Sequence, residues 1–234
     1  MPSFAASLLD ILFPPTCVLC GAAGVNGRDL CAGCAADLPD NRHACLRCAA
    51  PFADAMPAGM LCGRCQRFPP PFTRCLAAFR YESAVPSLVV GAKFSGRLNL
   101  ARLLGQCLGA AVNERGLTLP EALIPVPLHP DRLRERGYNQ ALEIARVLGH
   151  ELGIAVDAKT CARILATPPQ TGLTGRARRR NLRGAFALTR PAHWKHVAIV
   201  DDVMTTGTTV AELTQVLIKA GVGQVEVWAV ARTS

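Results

Sequence analysis

The chain has 234 residues, of which 50% are hydrophobic, 18% are charged and 5% are aromatic, and its formal net charge is +9. This composition excludes a wholly disordered chain, and 20 glycines and 17 prolines without a repeating period exclude a collagen-like protein. The length is compatible with one or two domains. The apolar residues 4–13 are interrupted by Asp10, and they lack the basic region and the cleavage site of a secretory signal. We therefore expect a soluble, cytoplasmic protein without a membrane span.

The first 65 residues contain eight of the 11 cysteines, arranged as four Cys-x-x-Cys pairs. The pairs are Cys17 with Cys20, Cys31 with Cys34, Cys45 with Cys48, and Cys62 with Cys65. Two residues between thiolates allow one tight turn to direct both sulfurs at the same ion, and two such pairs complete a tetrahedral zinc site. The spacing therefore predicts two zinc sites of four thiolates each. Because such sites have no open coordination position, we expect them to be structural.

The metal and the pairing stay open at the level of sequence. Adjacent pairs can share an ion, which is the arrangement that we favour, or the first pair can share one with the third in a cross-braced arrangement. Cysteines in this pattern also bind iron–sulfur clusters or act in redox chemistry. A disulfide framework is disfavoured, because the cysteine count is odd and no secretory signal precedes it. Eight thiolates and two Zn²⁺ ions would subtract four from the formal charge, which weakens any inference of nucleic-acid binding from charge alone.

After the last cysteine pair the sequence becomes an alternation of apolar segments. The prolines at 69–71 predict a stiff connector, so we expect an N-terminal helix and double zinc-ribbon domain over residues 1–70 and a second domain over residues 71–234. In the second domain, the apolar spacing predicts strands over residues 76–81, 122–128, 197–200 and 225–230, and helices over 86–93, 99–112, 139–152 and 208–219. This order predicts an α/β fold with a mainly parallel sheet.

The most informative segment is residues 197–209. An apolar strand leads to Asp201 and Asp202, and a hydroxyl-rich loop then opens into a helix. The loop residues are Thr205, Thr206, Gly207, Thr208 and Thr209. Since ligands of open α/β sheets lie beyond the carboxyl ends of strands, and helix N-termini bind anions, we expect the loop to bind a phosphate. The carboxylates would accept hydrogen bonds from ribose hydroxyls or hold magnesium through water. The plainer interpretation is a threonine helix cap beside surface aspartates.

This pattern resembles the phosphoribosyl pyrophosphate (PRPP) loop of type I phosphoribosyltransferases. Further segments resemble the competence protein F (ComF) family, namely residues 124–128, Arg132, residues 136–140, Lys93 with Gly96, Gln170, Arg178, Asn181 and residues 184–186. The cysteine pairs resemble the double zinc ribbon that precedes the transferase domain in many members, including the GntX-type branch. The resemblance spans essentially the whole chain. It implies a type I phosphoribosyltransferase-like parallel sheet with helices on both faces, preceded by a small zinc-ribbon domain.

The resemblance also implies roles for basic residues. In type I transferases the loop after the first core strand contacts pyrophosphate, and here it corresponds to residues 127–140, with Arg132 and Arg136, and after them Arg134, as the candidate ligands. Lys93 is a further candidate phosphate ligand. Each of the four has the alternative of being a solvated surface charge. The arginine-rich residues 167–186 lie where related enzymes carry a mobile lid, but they would also suit nucleic-acid phosphates or a solvated helix face.

Two functions of different classes follow from the resemblance. The first is a magnesium-dependent phosphoribosyltransferase that binds PRPP, uses Asp201 and Asp202 as catalytic residues, and transfers the phosphoribosyl group to a nitrogen nucleophile with release of pyrophosphate. The sequence identifies neither a general base nor a nucleobase pocket for it. The second is a nucleic-acid-handling module that keeps the PRPP fold as a sensor or scaffold, with single-stranded DNA and a competence helicase as partners. The acidic pair favours the first, because a DNA scaffold has no need of two carboxylates beside a phosphate loop.

Overall fold

The computed structural model describes residues 14–57, 59–94, 97–166 and 184–234. The expected N-terminal helix lies outside these residues. The described helices are α1 (Ala32–Asp37), α2 (Gly63–Arg67), α3 (Val85–Phe94), α4 (Leu98–Glu114), α5 (Pro130–Arg136), α6 (Gln140–Leu152) and α7 (Thr208–Lys219). The described strands are β1 (Arg74–Arg80), β2 (Ala122–Pro125), β3 (Ala155–Val156), β4 (Cys161–Arg163), β5 (Phe186–Leu188), β6 (His196–Met204) and β7 (Gln224–Arg232). None of these helices combines the length and the apolar character that a membrane crossing requires.

Five strands form one sheet in the order β1-β7-β6-β2-β3, and every pair in it is parallel. At the centre of the sheet, Ile199 of β6 is paired on one side with Ile124 of β2 and on the other side with Val227 of β7. Parallel sheets are covered on both faces, which explains why these strands read as continuous apolar runs. The α/β fold with a parallel sheet is therefore confirmed. Strands β4 and β5 form a separate antiparallel pair.

Helices cover both faces of the five-stranded sheet. On one face α3, α4 and α6 pack against buried residues such as Leu123 and Trp228. On the other face Leu213 and Leu217 of α7 pack against Ile199 and its neighbours. Burying these side chains stabilises the fold at roughly 25 cal/mol per Å² of apolar surface removed from water. The carboxyl ends of the central strands are therefore held between two packed layers.

Several elements differ from the sequence prediction near the carboxyl edge of the sheet. Strand β2 ends at Pro125 instead of residue 128, and β7 continues to Arg232 instead of residue 230. Strand β6 continues to Met204 instead of ending at residue 200, because its pairing with β7 extends beyond the end of β2. Asp201 and Asp202 therefore lie within the strand. The segment predicted as a loop over residues 127–140 contains helix α5, which begins at Pro130 and ends before Gly137 at φ 80°. Proline at a helix start and glycine just beyond its end are both favoured.

The cysteine-rich segment packs against the outer edge of β1. The N–H of Asn41 donates to the carbonyl of Ala78 at 3.0 Å, and the N–H of Arg80 donates to the carbonyl of Pro39 at 2.8 Å. Arg115, just after α4, donates to the carbonyls of Ala77 and Asn41. The cysteine-rich segment and the sheet therefore share a hydrogen-bonded interface, while a domain division at residue 70 stays a prediction.

Candidate functional site

The paired cysteines form two clusters in which the four sulfur atoms lie within 4.8 Å of one another. The first cluster is Cys17, Cys20, Cys31 and Cys34, and the second is Cys45, Cys48, Cys62 and Cys65. Each cluster combines two consecutive Cys-x-x-Cys pairs. This grouping is the adjacent-pair arrangement that we favoured from the sequence, and it differs from the cross-braced alternative.

The sulfur geometry fits tetrahedral zinc. Four sulfurs at about 2.3 Å from a zinc ion are about 3.8 Å from one another. The Sγ atoms of Cys20 and Cys31 are 3.6 Å apart, and those of Cys48 and Cys62 are 3.8 Å apart. These distances exclude disulfides, whose S–S bond is about 2.05 Å. Four thiolates in each cluster, with no open coordination position, suit one structural zinc ion per cluster.

Main-chain N–H groups favour the thiolate form within both clusters. The N–H of Cys34 donates to Sγ of Cys31 at 3.4 Å, and the N–H of Cys62 donates to Sγ of Cys45 at 3.2 Å. Burial alone raises the pKa of Cys17, but hydrogen bonds from N–H groups, that of Cys31 foremost, outweigh it and bring the pKa to about 6. Contact with the neighbouring sulfurs, that of Cys20 foremost, raises the pKa of Cys34, so in the absence of metal the four thiols do not ionise together. Zinc binding to four thiolates would therefore release protons.

The acidic pair at the end of β6 contacts a lysine from α3. Nζ of Lys93 lies 3.0 Å from Oδ2 of Asp202, and the two side chains are 24% and 14% exposed. The N–H of Asp202 donates to Oδ1 of Asp201, and the N–H of Val203 donates to Oδ1 of Asp202. Lys93 and Asp202, far apart in the sequence, therefore form one partly buried ion pair.

Asp201 has an unusual charge environment. Burial, and after it the neighbouring Asp202 carboxylate, raise the pKa of Asp201 to about 7, although Lys93 and Arg163 favour its charged form. Arg163 of β4 was not singled out in the sequence, where the available signal was a charged residue inside an otherwise apolar stretch. Its guanidinium carbon lies 5.8 Å from the ring centroid of Phe186 on β5, and burial lowers its pKa.

The loop after β6 leads directly into α7, and the hydroxyl of Thr206 accepts a hydrogen bond from the N–H of Thr208 at 3.4 Å. Gly207, at φ +75°, is the residue before α7. A Cβ there would come no closer than 3.6 Å to Met204, so backbone conformation, and not lack of space, favours glycine. The hydroxyls of Thr206 and Thr208 are 2.8 Å apart. Thr208 and Thr209 form the first turn of α7, whose N–H groups have no acceptor within the helix and whose dipole favours an anion.

The arginines predicted to contact pyrophosphate lie on α5, which follows β2 at the same edge of the sheet. Nη1 of Arg132 lies 3.1 Å from Oε2 of Glu135. Nη1 of Arg136 donates to Oε1 of Gln140 at 3.0 Å. The positive charge of Arg132 acts on Arg163, which in turn interacts with Asp201. Arg132 thus shares an electrostatic environment with the acidic pair through Arg163.

The residues after α5 also anchor the end of α3. The hydroxyl of Tyr138 donates to the carbonyl of Ala92. The side-chain amide of Gln140 donates to the carbonyl of Lys93 at 3.3 Å. Neither role follows from the sequence, because each hydrogen bond joins segments that only the fold brings together. Tyr138 and Gln140 therefore position the backbone that carries Lys93.

The expected lid lies mainly beyond what the structure describes. Residues 167–183, including Arg176, Arg178, Arg179, Arg180 and Arg183, fall outside the described residues. The described chain stops in the segment after β4 and resumes just before β5. Both predictions for this arginine-rich run therefore stay predictions.

Comparison with known proteins gives consistent matches. The model of the double zinc ribbon domain matches residues 8–66, which confirms the predicted double ribbon. The chain is 42% identical to the DNA utilization protein YhgH of Salmonella typhi, over 76% of this chain and 82% of that protein. It is 39% identical to the protein of the same name from Escherichia coli K12, over 74% and 78%. It is 36% identical to competence protein F of Haemophilus influenzae, over 73% and 78%. The chain therefore belongs to the family of DNA utilization protein YhgH and competence protein F.

Proposed function

We propose that the protein binds PRPP with magnesium at the carboxyl edge of its parallel sheet and transfers the phosphoribosyl group to a nitrogen nucleophile, with release of pyrophosphate. The observation that carries the proposal is the order of polar groups at the end of β6. The carboxylates of Asp201 and Asp202 lead directly into the glycine-containing turn at the start of α7, and Lys93 is 3.0 Å from Asp202. Ribose hydroxyls need acceptors and phosphates need N–H groups and cations, and both kinds of group occur here within a few residues.

In this proposal the 5′-phosphate lies in the loop from Thr205 to Thr209, and the ribose hydroxyls face the two carboxylates. Arg132 and Arg136 act on the pyrophosphate, whose negative charge grows as it leaves. Lys93 neutralises Asp202 in the absence of ligand and offers its ammonium group to a phosphate when one arrives. The contribution of the protein is positioning and charge stabilisation.

The acidic pair suits magnesium, because Mg²⁺ prefers oxygen ligands and is commonly held by one or two carboxylates together with substrate phosphates. Asp201 and Asp202 would hold it. When bound, the ion would supply neutralisation of the phosphate charge. Because the pKa of Asp201 is raised to about 7, first by burial, the site also has a carboxylate whose ionisation a nearby cation would favour.

Calorimetric titration with PRPP and Mg²⁺ tests the site. We expect Asp202→Asn and Thr206→Ala to weaken binding about 10-fold or more, because each removes a polar contact to a charged ligand. The matched controls Asp37→Asn and Thr118→Ala, at exposed positions away from the sheet edge, should retain the wild-type affinity. Equal affinity in all four variants would contradict the assignment. Pyrophosphate release in the presence of a panel of nucleobases then tests transfer itself.

A second candidate function, handling of nucleic acid, is favoured by the names of the relatives, which are a DNA utilization protein and a competence protein. Its proposed partners are single-stranded DNA and a competence helicase. The test is whether a single-stranded oligonucleotide binds with an affinity that falls steeply as salt rises, as counterion release requires.

A further inference from the structure

A pocket of about 200 Å³ lies between the second cysteine cluster and the start of α7. One wall is formed by the segment after the second cysteine cluster, with Phe68 and Pro70. The opposite wall is formed by one face of α7, with Glu212 and Gln215. The acidic pair does not belong to its lining. Asp202 pairs with α3 on one face of the sheet, whereas Met204 packs toward α7 on the other face and lines the pocket. The pocket therefore reaches the loop before α7 from the face of the sheet opposite to Asp202.

The wall formed by the ribbon pairs an aromatic ring with a cation. Phe68 is 75% exposed, in contrast to the neighbouring Phe72, which is 1% exposed. Arg64 lies one helical turn before Phe68, whose N–H donates to the carbonyl of Arg64 at 2.8 Å, and both side chains line the pocket. Exposed aromatic rings and cationic side chains are the groups with which proteins stack the bases of single-stranded nucleic acids and hold their phosphates.

The opposite wall supplies polar groups that suit the edge of a base. The carboxylate of Glu212 accepts hydrogen bonds, and the amide of Gln215 both donates and accepts them. The volume is below the range of roughly 300 to 1,000 Å³ that drug-sized ligands occupy, so the pocket suits one small ring system and excludes a duplex.

We propose that this pocket receives one nucleotide of a single-stranded nucleic acid, with its base against Phe68 and Pro70, the edge of the base toward Glu212 and Gln215, and its phosphate beside Arg64. The proposal rests on the nucleic-acid role proposed above and assigns a contact site to it.

The test measures binding of a fluorescently labelled ten-residue thymidine oligonucleotide to the full-length, zinc-loaded protein by anisotropy. Phe68→Ala should weaken binding about 5- to 100-fold, the effect of losing one base stack. The matched control is Leu46→Ala, which removes another exposed apolar side chain (44% exposed) of the ribbon outside the pocket. It should stay within about twofold of wild type. Ala211→Phe, which fills the pocket from α7, should weaken binding as Phe68→Ala does.

Each outcome has a separate meaning. Failure of the wild-type protein to bind the oligonucleotide would overturn the nucleic-acid role and the pocket together. Binding that is unchanged in both Phe68→Ala and Ala211→Phe would overturn the pocket and leave the role intact. Binding of a blunt duplex as tightly as the single strand would also overturn the pocket, since a paired base cannot enter it.

Discussion

Asp201 illustrates how the fold changes the chemistry of a single side chain. Its carboxylate is shielded from water, and the adjacent Asp202 adds a like charge. Both effects raise its pKa from an ordinary 3.8 to about 7. The folded protein therefore holds this proton more tightly than the unfolded chain, so ionisation of Asp201 opposes folding.

The raised pKa predicts a specific pH dependence of stability. The contribution of Asp201 is fully present below the unfolded pKa near 4 and is lost as the pH rises through about 7. In magnesium-free buffer, we expect the free energy of unfolding of the wild type to fall between pH 5.5 and pH 8 by about 2 kcal/mol more than that of Asp201→Asn. Chemical denaturation at the two pH values measures this difference. The same pH dependence in both proteins would show that the pKa is not raised.

Some residues of the candidate site could be predicted from the sequence, and others could not. Spacing alone pointed to the acidic pair and the glycine turn, because strand, turn and helix are consecutive. The proximity of Lys93 to this segment rested on family resemblance, and the structure finds it against Asp202. Arg163 escaped notice, because its contribution depends on the β4–β5 pair, which joins distant segments.

At the scale of secondary-structure elements, the end of β7 connects the second cysteine cluster to the loop before α7. Arg232 is 6% exposed. Its Nε donates to the carbonyl of Cys48 at 3.1 Å, and its Nη1 donates to the carbonyl of Met204 at 3.2 Å. One side chain therefore joins a cysteine of the second cluster to the last residue of β6.

Replacing Arg232 should destabilise the segments around Cys48 and Met204, because both lose a hydrogen bond to its side chain. We expect Arg232→Met to lower the free energy of unfolding by about 1 to 3 kcal/mol, because the carbonyl of Cys48 loses its donor, whereas the carbonyl of Met204 keeps the N–H of Thr233. Amide exchange near residues 48 and 204–206 should accelerate.

Arg80→Met is the matched control, since Arg80 lies beside Arg232 in the register of β1 and β7 but is 44% exposed in a surface ion pair with Glu82. Its expected effect is below about 1 kcal/mol. Similar destabilisation by the two substitutions would contradict a special role for Arg232.

Among the elements, those with a regular apolar period were predicted best. The helix over residues 208–219 has the bounds expected from its apolar spacing. Helix α5 was missed, although Pro130 and Gly137 mark its two ends, because its charged sequence carries no apolar period. Strand β6 was predicted too short, because its last residues are held by pairing with β7. The apolar pattern of a single segment does not reveal such pairing.

At the scale of the whole molecule, the two cysteine clusters make the N-terminal part of the chain dependent on metal. We expect two zinc ions per chain, and one ion in each of Cys20→Ser and Cys48→Ser, because each substitution removes a thiolate from a different cluster. Cys107→Ala, which removes a buried thiol of the core outside both clusters, should keep two. Metal analysis of the purified proteins gives the counts. A wild-type count of one or none would refute the double site.

The overall architecture was largely predictable, but the contact between its parts was not. Alternating strands and helices predict a parallel sheet with helices on both faces, because a parallel connection needs a crossover element. The docking of the cysteine-rich segment on β1 depends on contacts such as those of Asn41 and Arg115 with Ala78 and Ala77. These residues lie in different parts of the sequence and carry no pattern that would reveal their meeting.

The position of the ribbon beside β1 bears on the solubility of the protein when metal is scarce. Residues 39–41 occupy hydrogen-bonding groups on the margin of β1 that would otherwise face water. An open strand margin is a template on which a second polypeptide can add, and proteins generally protect it. Withdrawal of zinc would therefore do more than unfold a small module: it would uncover a surface for self-association, and aggregation would accompany metal starvation.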